Sequence, residues 1–176
     1  PLLYATIAEV LLDRIEAECP NTMVRAYADD TALVLNDFGE EAPILQRIMT
    51  EFGSISGLHL NTGKCITIPL GPRSLEAFKA HRDNVVAAWI DMPVADKGKY
   101  LGFYVGPGKG ESSWTEPSSK YLERCRLWGD QGLGLHYHTV AYNTFAVSTL
   151  SYISQLEEVP QPVSYTHLRA HETKPN

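Results

Sequence analysis

No stretch of this sequence is long and apolar enough to span a bilayer, so no helical membrane span is expected within it. Cysteine is scarce. Cys19, Cys65 and Cys125 lie far apart, are odd in number and form no Cys-x-x-Cys pair. That argues against a disulfide framework or a cysteine zinc site and leaves buried or idle thiols, compatible with a reducing compartment. An excess of basic charge is missing as well: the formal net charge is −6, which speaks against a uniformly basic nucleic-acid binder. There are no internal repeats. What remains is 176 residues with 44% hydrophobic content, enough for one domain with a real core and too apolar for a disordered chain. Pro1 stands where a Met would open a chain, and it begins inside an apolar helical pattern. The expectation is a fragment that starts within a domain.

The distribution of charge says more than its sum. Residues 1–60 carry three basic and ten acidic side chains, whereas residues 61–176 are nearly balanced. Within the second part, Lys97, Lys99, Lys109, Lys120, Arg124 and Arg126 oppose only Glu111, Glu116 and Glu123. That stretch suits contacts to phosphates, and equally suits an ordinary solvated surface.

Hydrophobic spacing supplies the elements. Leu2, Leu3, Ile7, Val10, Leu11 and Ile15 predict a core-packed helix over 2–18, ended by Cys19-Pro20-Asn21. Ile44, Leu45, Ile48, Met49, Phe52 and Ile55 predict a second over 40–56, stopped by Gly57. Asn36-Asp37-Phe38-Gly39 reads as the loop before it. Cys65–Leu70 and Lys99–Val105 read as strands, with a helical insertion or a helix plus strand over 73–90. Gly106-Pro107-Gly108-Lys109-Gly110 is a turn and a candidate subdomain boundary, and 117–158 reads as helical with a break at Gly129–Gly134. That break lacks the Lys-Ser/Thr of a phosphate-binding loop and follows no clear strand, so it reads as a loop.

The most informative string is Tyr27-Ala28-Asp29-Asp30. Met23–Tyr27 precedes it and Thr31–Leu35 follows, two β-prone segments about a tight acidic turn, which is the pattern of a β-hairpin over 23–36. Aspartate is a common turn residue for local hydrogen-bonding reasons. Two adjacent carboxylates nevertheless repel each other, and they are good material for divalent cations, which take hard oxygen ligands.

Two further signals follow in order. Gly57-Leu58-His59-Leu60-Asn61-Thr62-Gly63-Lys64 comes after an amphipathic helix, and Lys99-Tyr100-Leu101-Gly102 opens a later strand. In order and spacing these match Gly-Leu-x-Leu-Asn-x-x-Lys and Tyr-Leu-Gly, and the chain resembles the palm of a non-LTR (LINE-type) retrotransposon reverse transcriptase. Pro1-Leu2-Leu3-Tyr4 looks like the end of that family's Gly-x-Pro-x-Ser-Pro-x-Leu segment. Arg126-Leu127-Trp128, Ala141-Tyr142-Asn143 and Leu150-Ser151-Tyr152 look like its thumb-side helices. The resemblance implies an α+β fold. Residues 1–108 would be the later part of the palm, an antiparallel sheet with packed helices, and 109–162 an incomplete helical thumb.

It also implies a chemistry: RNA-templated DNA synthesis, in which a primer 3′-hydroxyl attacks an α-phosphate between two Mg²⁺ ions. Asp29 would be the principal metal ligand on the hairpin and Asp30 its supporting neighbour. Tyr27 would lie beside the primer end or incoming nucleotide, the ordinary alternative being a strand aromatic packed on a neighbour. Lys64 would reach the triphosphate and neutralise the leaving pyrophosphate. Tyr100, Leu101 and Gly102 match the primer-grip region, where Gly102 either allows a close backbone approach or is a structural strand glycine. The implied partners are an RNA template, a DNA primer and deoxynucleoside triphosphates, with no membrane and an intracellular setting; nothing in the residues speaks to oligomeric state.

The sequence also departs from that family. Its third catalytic aspartate belongs to an earlier strand, and no aspartate here matches it, so this piece by itself is expected to be inactive. The alternatives are a decayed remnant that binds nucleic acid without catalysis, or a structural module with an accidental acidic turn. Val163–Thr173 reads as the conceptual translation of a transposase-based sequencing adapter. The native sequence is then expected to stop near Pro162, with 163–176 an adapter-derived tail. His167 and His171 at i, i+4, and His136 and His138, lack the further ligands of a metal site and read as structural or solvent-exposed.

Overall fold

The computed structural model describes residues 2–160, so the tail at 163–176 with His167 and His171 lies outside the described residues. The chain mixes helix with two small antiparallel sheets, as the α+β expectation requires. It divides into two compact units. One holds the residues up to Leu101 together with Val105–Gly108; the other holds Gly102–Tyr104 and the residues from Lys109 onward.

In the first unit, α1 (Leu2–Glu18) leads into β1 (Met23–Tyr27) and β2 (Asp30–Val34), and α2 (Phe38–Ser56) follows. Helix α1 matches its predicted span and ends in a turn in which the Thr22 N–H donates to the Cys19 carbonyl at 3.0 Å. Helix α2 begins two residues before its predicted start, because Asp37 caps it. The Asp37 carboxylate accepts from the N–H groups of Gly39 and Glu40 at 2.8 and 3.2 Å. Glu41 reaches back to accept from Asn36 and Asp37 N–H at 2.7 and 3.1 Å. Phe38 and Gly39, expected in a loop, are therefore helical. Gly57, in the left-handed region with φ 73°, ends the helix as expected.

Ile15, Cys19, Ala42, Leu45, Ile48, Val86, Trp89 and Met92 form the buried core. Val24, Leu33 and Leu35 of the hairpin pack against it. Phe38 meets Phe78 edge-to-face at 5.0 Å and Trp89 at 6.4 Å. Arg14 and Arg47 pair with Glu18 and Glu51, tying α1 to α2 at the surface.

The insertion is helical: α3 (Leu75–Val85), capped by Ser74, and a 3₁₀ turn at Ala87–Trp89. Arg82 on α3 is fully buried. Its guanidinium donates to the carbonyls of Met92 and, at 3.1 Å, Ile90, and pairs with Asp83. Two strand expectations need correction. Cys65–Leu70 makes only an isolated parallel bridge, Thr67 to Val94. Its ladder cannot extend because Pro69 and Pro93 have no N–H to donate. Lys99–Val105 is not one strand but two, β3 (Gly98–Tyr100) and β4 (Phe103–Val105). The chain reverses at Leu101-Gly102, both with positive φ (46° and 90°), the pattern of a type I′ hairpin turn.

In the second unit, α4 (Ser112–Gly129) starts five residues before its predicted position. Pro117 sits in the second turn of α4, as Pro43 does in α2, at the loss of one intrahelical donor. After the break at 130–134 come α5 (Leu135–Ala141), a π-helical turn (Tyr142–Val147), α6 (Ser148–Ser151) and a 3₁₀ turn (Ile153–Gln155). Aromatic pairs join α4 to this rod. The Tyr121 and Tyr142 hydroxyls are 3.1 Å apart, and Trp128 stacks on Phe145 at 4.8 Å. Burial pushes the Tyr121 phenol well above its usual range and raises the Cys125 thiol. Near the end, Tyr104 N–H donates to Ser113 Oγ, Ser113 Oγ–H donates to Glu157, and Lys109 pairs with the same carboxylate at 2.8 Å. No described helix is long and apolar enough to cross a membrane.

Candidate metal and nucleotide site

The acidic hairpin is built from a register that leaves no choice of face. Tyr27 opposes Asp30, Arg25 opposes Ala32, and Val24 opposes Leu33. Strand side chains alternate, so Val24 and Leu33 face the core while Arg25, Tyr27 and Asp30 take the other face. Tyr27 is 69% exposed. The loop is only Ala28-Asp29. Asp29 and Asp30 are both exposed. Ala28 has φ 52°, where glycine is usual; a positive φ at the first loop position alone is the pattern of a type II′ turn.

Ala28 and Leu101 are the non-glycine residues with positive φ among the described residues. Each lies in a motif picked out by sequence. Such outliers cost energy and persist only where the surroundings impose them, often at functional sites.

The structure joins two of the three motifs. The Tyr100 hydroxyl donates to the Arg25 carbonyl on β1 at 3.2 Å. Leu101 and Gly102 form the turn just beyond it. Lys64 closes a turn in which its own N–H donates to the Asn61 carbonyl at 3.0 Å, and its side chain is exposed. Among the described residues no ion pair joins Lys64 to Asp29 or Asp30. The chain after it runs against the second hairpin, because a Cβ on Gly98 would meet Ile66 Cγ2 at 2.9 Å and Ile68 Cδ1 at 3.0 Å.

Two exposed aspartates at a tight turn are the kind of donor that Mg²⁺ prefers, hard oxygens with open positions for water or phosphate. Among the described residues no group of three or more His, Cys, Asp and Glu is placed to hold a metal ion. His136 and His138 belong to no such group either.

Three features escaped sequence reading. The Glu41 cap had a readable signal, Asp37 followed by acidic residues at the start of an apolar-periodic run. Arg82 had none, since an arginine on a helix is usually exposed. The third is the close approach of Gly106 to the Asp96 carbonyl, Ile68 and Lys97 Cα, signalled only by the glycines around Pro107. Comparison of the chain with protein-family models, curated proteins and solved structures found no match.

Proposed function

We propose that this chain is the later part of the palm and the beginning of the thumb of a non-LTR retrotransposon reverse transcriptase, an RNA-directed DNA polymerase. The observation that carries the reading is the hairpin itself: Asp29 and Asp30 stand exposed at a tight, strained turn. The turn's outer face carries Tyr27, and its strand is bonded to the Tyr-Leu-Gly hairpin. Order along the chain and joining in space point the same way.

In the complete domain Asp29 and Asp30 would hold Mg²⁺, which supplies charge neutralisation at the attacking and leaving oxygens. Little covalent work is left to the side chains, so positioning dominates. Tyr27, exposed beside Asp30, offers a flat ring to the primer end or the incoming base. Lys64 offers its ammonium to the triphosphate as pyrophosphate leaves. Leu101 and Gly102 present backbone at the second turn, where the primer would lie over an RNA template.

The test is primer extension on RNA by the domain expressed together with the reading frame upstream. Extension with deoxynucleoside triphosphates should require Mg²⁺. Asp29→Ala should lower it at least about a thousandfold, since metal positioning is worth several kcal/mol, and Asp30→Ala should lower it less. The 176-residue chain alone is expected to be inactive, lacking the third carboxylate that the resemblance implies. A folded, extended domain without extension activity would leave a non-catalytic remnant as the reading.

A further inference from the structure

We propose that Tyr100 is a positioning residue for the acidic hairpin and not a contact to primer; its consequence for metal binding rests on the polymerase reading above. A primer contact would need the phenol hydroxyl to face the nucleic acid. Here that hydroxyl donates to the Arg25 main-chain carbonyl at 3.2 Å. Arg25 is two residues before Tyr27 on β1 and therefore on the same face, paired across the ladder with Ala32. A restraint at Arg25 sets the inclination of the strand that carries Tyr27 and leads into Asp29.

The restraint has a fixed base. Two residues before β3, the Asp96 carbonyl accepts from Gly108 N–H at 3.0 Å. Gly106, with φ 115°, lies so close to that carbonyl and to Lys97 Cα that no side chain fits there. Ile66 and Ile68 lie against Gly98 on the same strand. Tyr100 therefore projects from a segment pinned on its N-terminal side by contacts independent of the acidic hairpin. A hydroxyl on a pinned strand can hold a neighbouring hairpin, and with it Asp29 in the turn and Asp30 at the head of β2.

The experiment compares the 176-residue chain with its Tyr100→Phe variant, which loses the hydroxyl and keeps the ring. Amide hydrogen exchange by NMR is the first readout. Val24–Tyr27 amides should exchange about threefold faster in the variant, the loss expected for one exposed neutral hydrogen bond, with α2 amides unchanged. Paramagnetic broadening of the Ala28–Asp30 amides by Mn²⁺ is the second. Its apparent dissociation constant should rise by a similar factor, about threefold. Unchanged exchange in β1 would overturn the proposal. Faster exchange with unchanged Mn²⁺ affinity would overturn it too, leaving a merely structural bond. Absence of broadening in the unsubstituted chain counts against the polymerase reading instead, and the exchange comparison still decides whether Tyr100 holds the hairpin.

Discussion

The two hairpins of this molecule have turns of the same length and opposite foundations. The acidic one, β1–β2, rests on apolar packing: Val24, Leu33 and Leu35 lie on a core of eight buried residues. The Tyr-Leu-Gly one, β3–β4, is approached through polar and steric fasteners. Arg82 holds the carbonyls of Ile90 and Met92, and Gly106 and Gly108 close on Asp96. Apolar packing is spread over many side chains, and neighbours relax only partially into the cavity that each loss leaves. A fastener fails at one residue. The hairpin that carries the aspartates is thus held by many residues, and the one that steadies it by few.

The largest effect should come from Arg82. Arg82→Met keeps the apolar stem but takes the guanidinium donors from the buried Met92 carbonyl and the half-buried Ile90 carbonyl, and leaves Asp83 without its partner. A loss of about 3–5 kcal/mol in chemical denaturation is expected, the range for breaking a buried charged network. Gly106→Ala should follow, at about 2–3 kcal/mol, since a Cβ there meets backbone that cannot swing away and takes a left-handed φ. Leu45→Ala in the core under the acidic hairpin should fall within about 2–5 kcal/mol, as a cavity. The comparison sharpens in the contacts rather than the totals. Gly106→Ala should speed exchange of the Lys99 and Tyr100 amides well before that of Thr31–Leu33, and the reverse order would refute the division of foundations.

A smaller effect of opposite sign tests the strained turn. Ala28→Gly removes the left-handed penalty of about 1–2 kcal/mol and adds unfolded-chain entropy worth about 0.4–1 kcal/mol. The net expectation is a gain of about 0.5–1 kcal/mol in stability. If the strain serves the aspartates, the same variant should bind Mn²⁺ at the turn less tightly while melting higher.

Much of this was legible in the sequence. The spacing of Ile44, Leu45, Ile48 and Met49 gave α2, and β-prone segments around Asp29-Asp30 gave the first hairpin. What misled was local chemistry that competes with propensity. Lys99–Val105 has the composition of one strand, and nothing about Leu101 announces a positive φ. Cys65–Leu70 has the composition of a strand too, and Pro69 decides otherwise. The helix expected from 117 starts at Ser112, and Pro117 is tolerated in its second turn. Of the candidate site, the aspartates were legible as a pair, and the Tyr100 to Arg25 bond across 75 residues was not, because no local pattern encodes a contact of that range.

Acid should separate the two units by mechanism. The guanidinium groups of Arg14 and Arg47 hold the Glu18 carboxyl below its ordinary value of 4.5, and Arg14 does the same to Glu51. Lys109, with Ser113, lowers Glu157 in the other unit. A carboxyl whose folded pKa is depressed stabilises the fold fully above its unfolded pKa and loses that contribution as pH falls through the folded one. Stability should therefore decline from about pH 4.5 downward in both units, and Glu18→Gln with Glu51→Gln should flatten the decline in the first. Salt distinguishes them. The Arg14, Glu18, Arg47 and Glu51 side chains are substantially exposed, so about 0.5 M salt should screen most of their contribution. The Glu157 side chain is only 13% exposed and also accepts from Ser113, so its pH dependence should survive that salt. Amide exchange at pH 3.5 to 5, in low and high salt, reads both units at once. An equal response of α1 and of the Glu157 segment to salt would show that surface pairing governs the two alike.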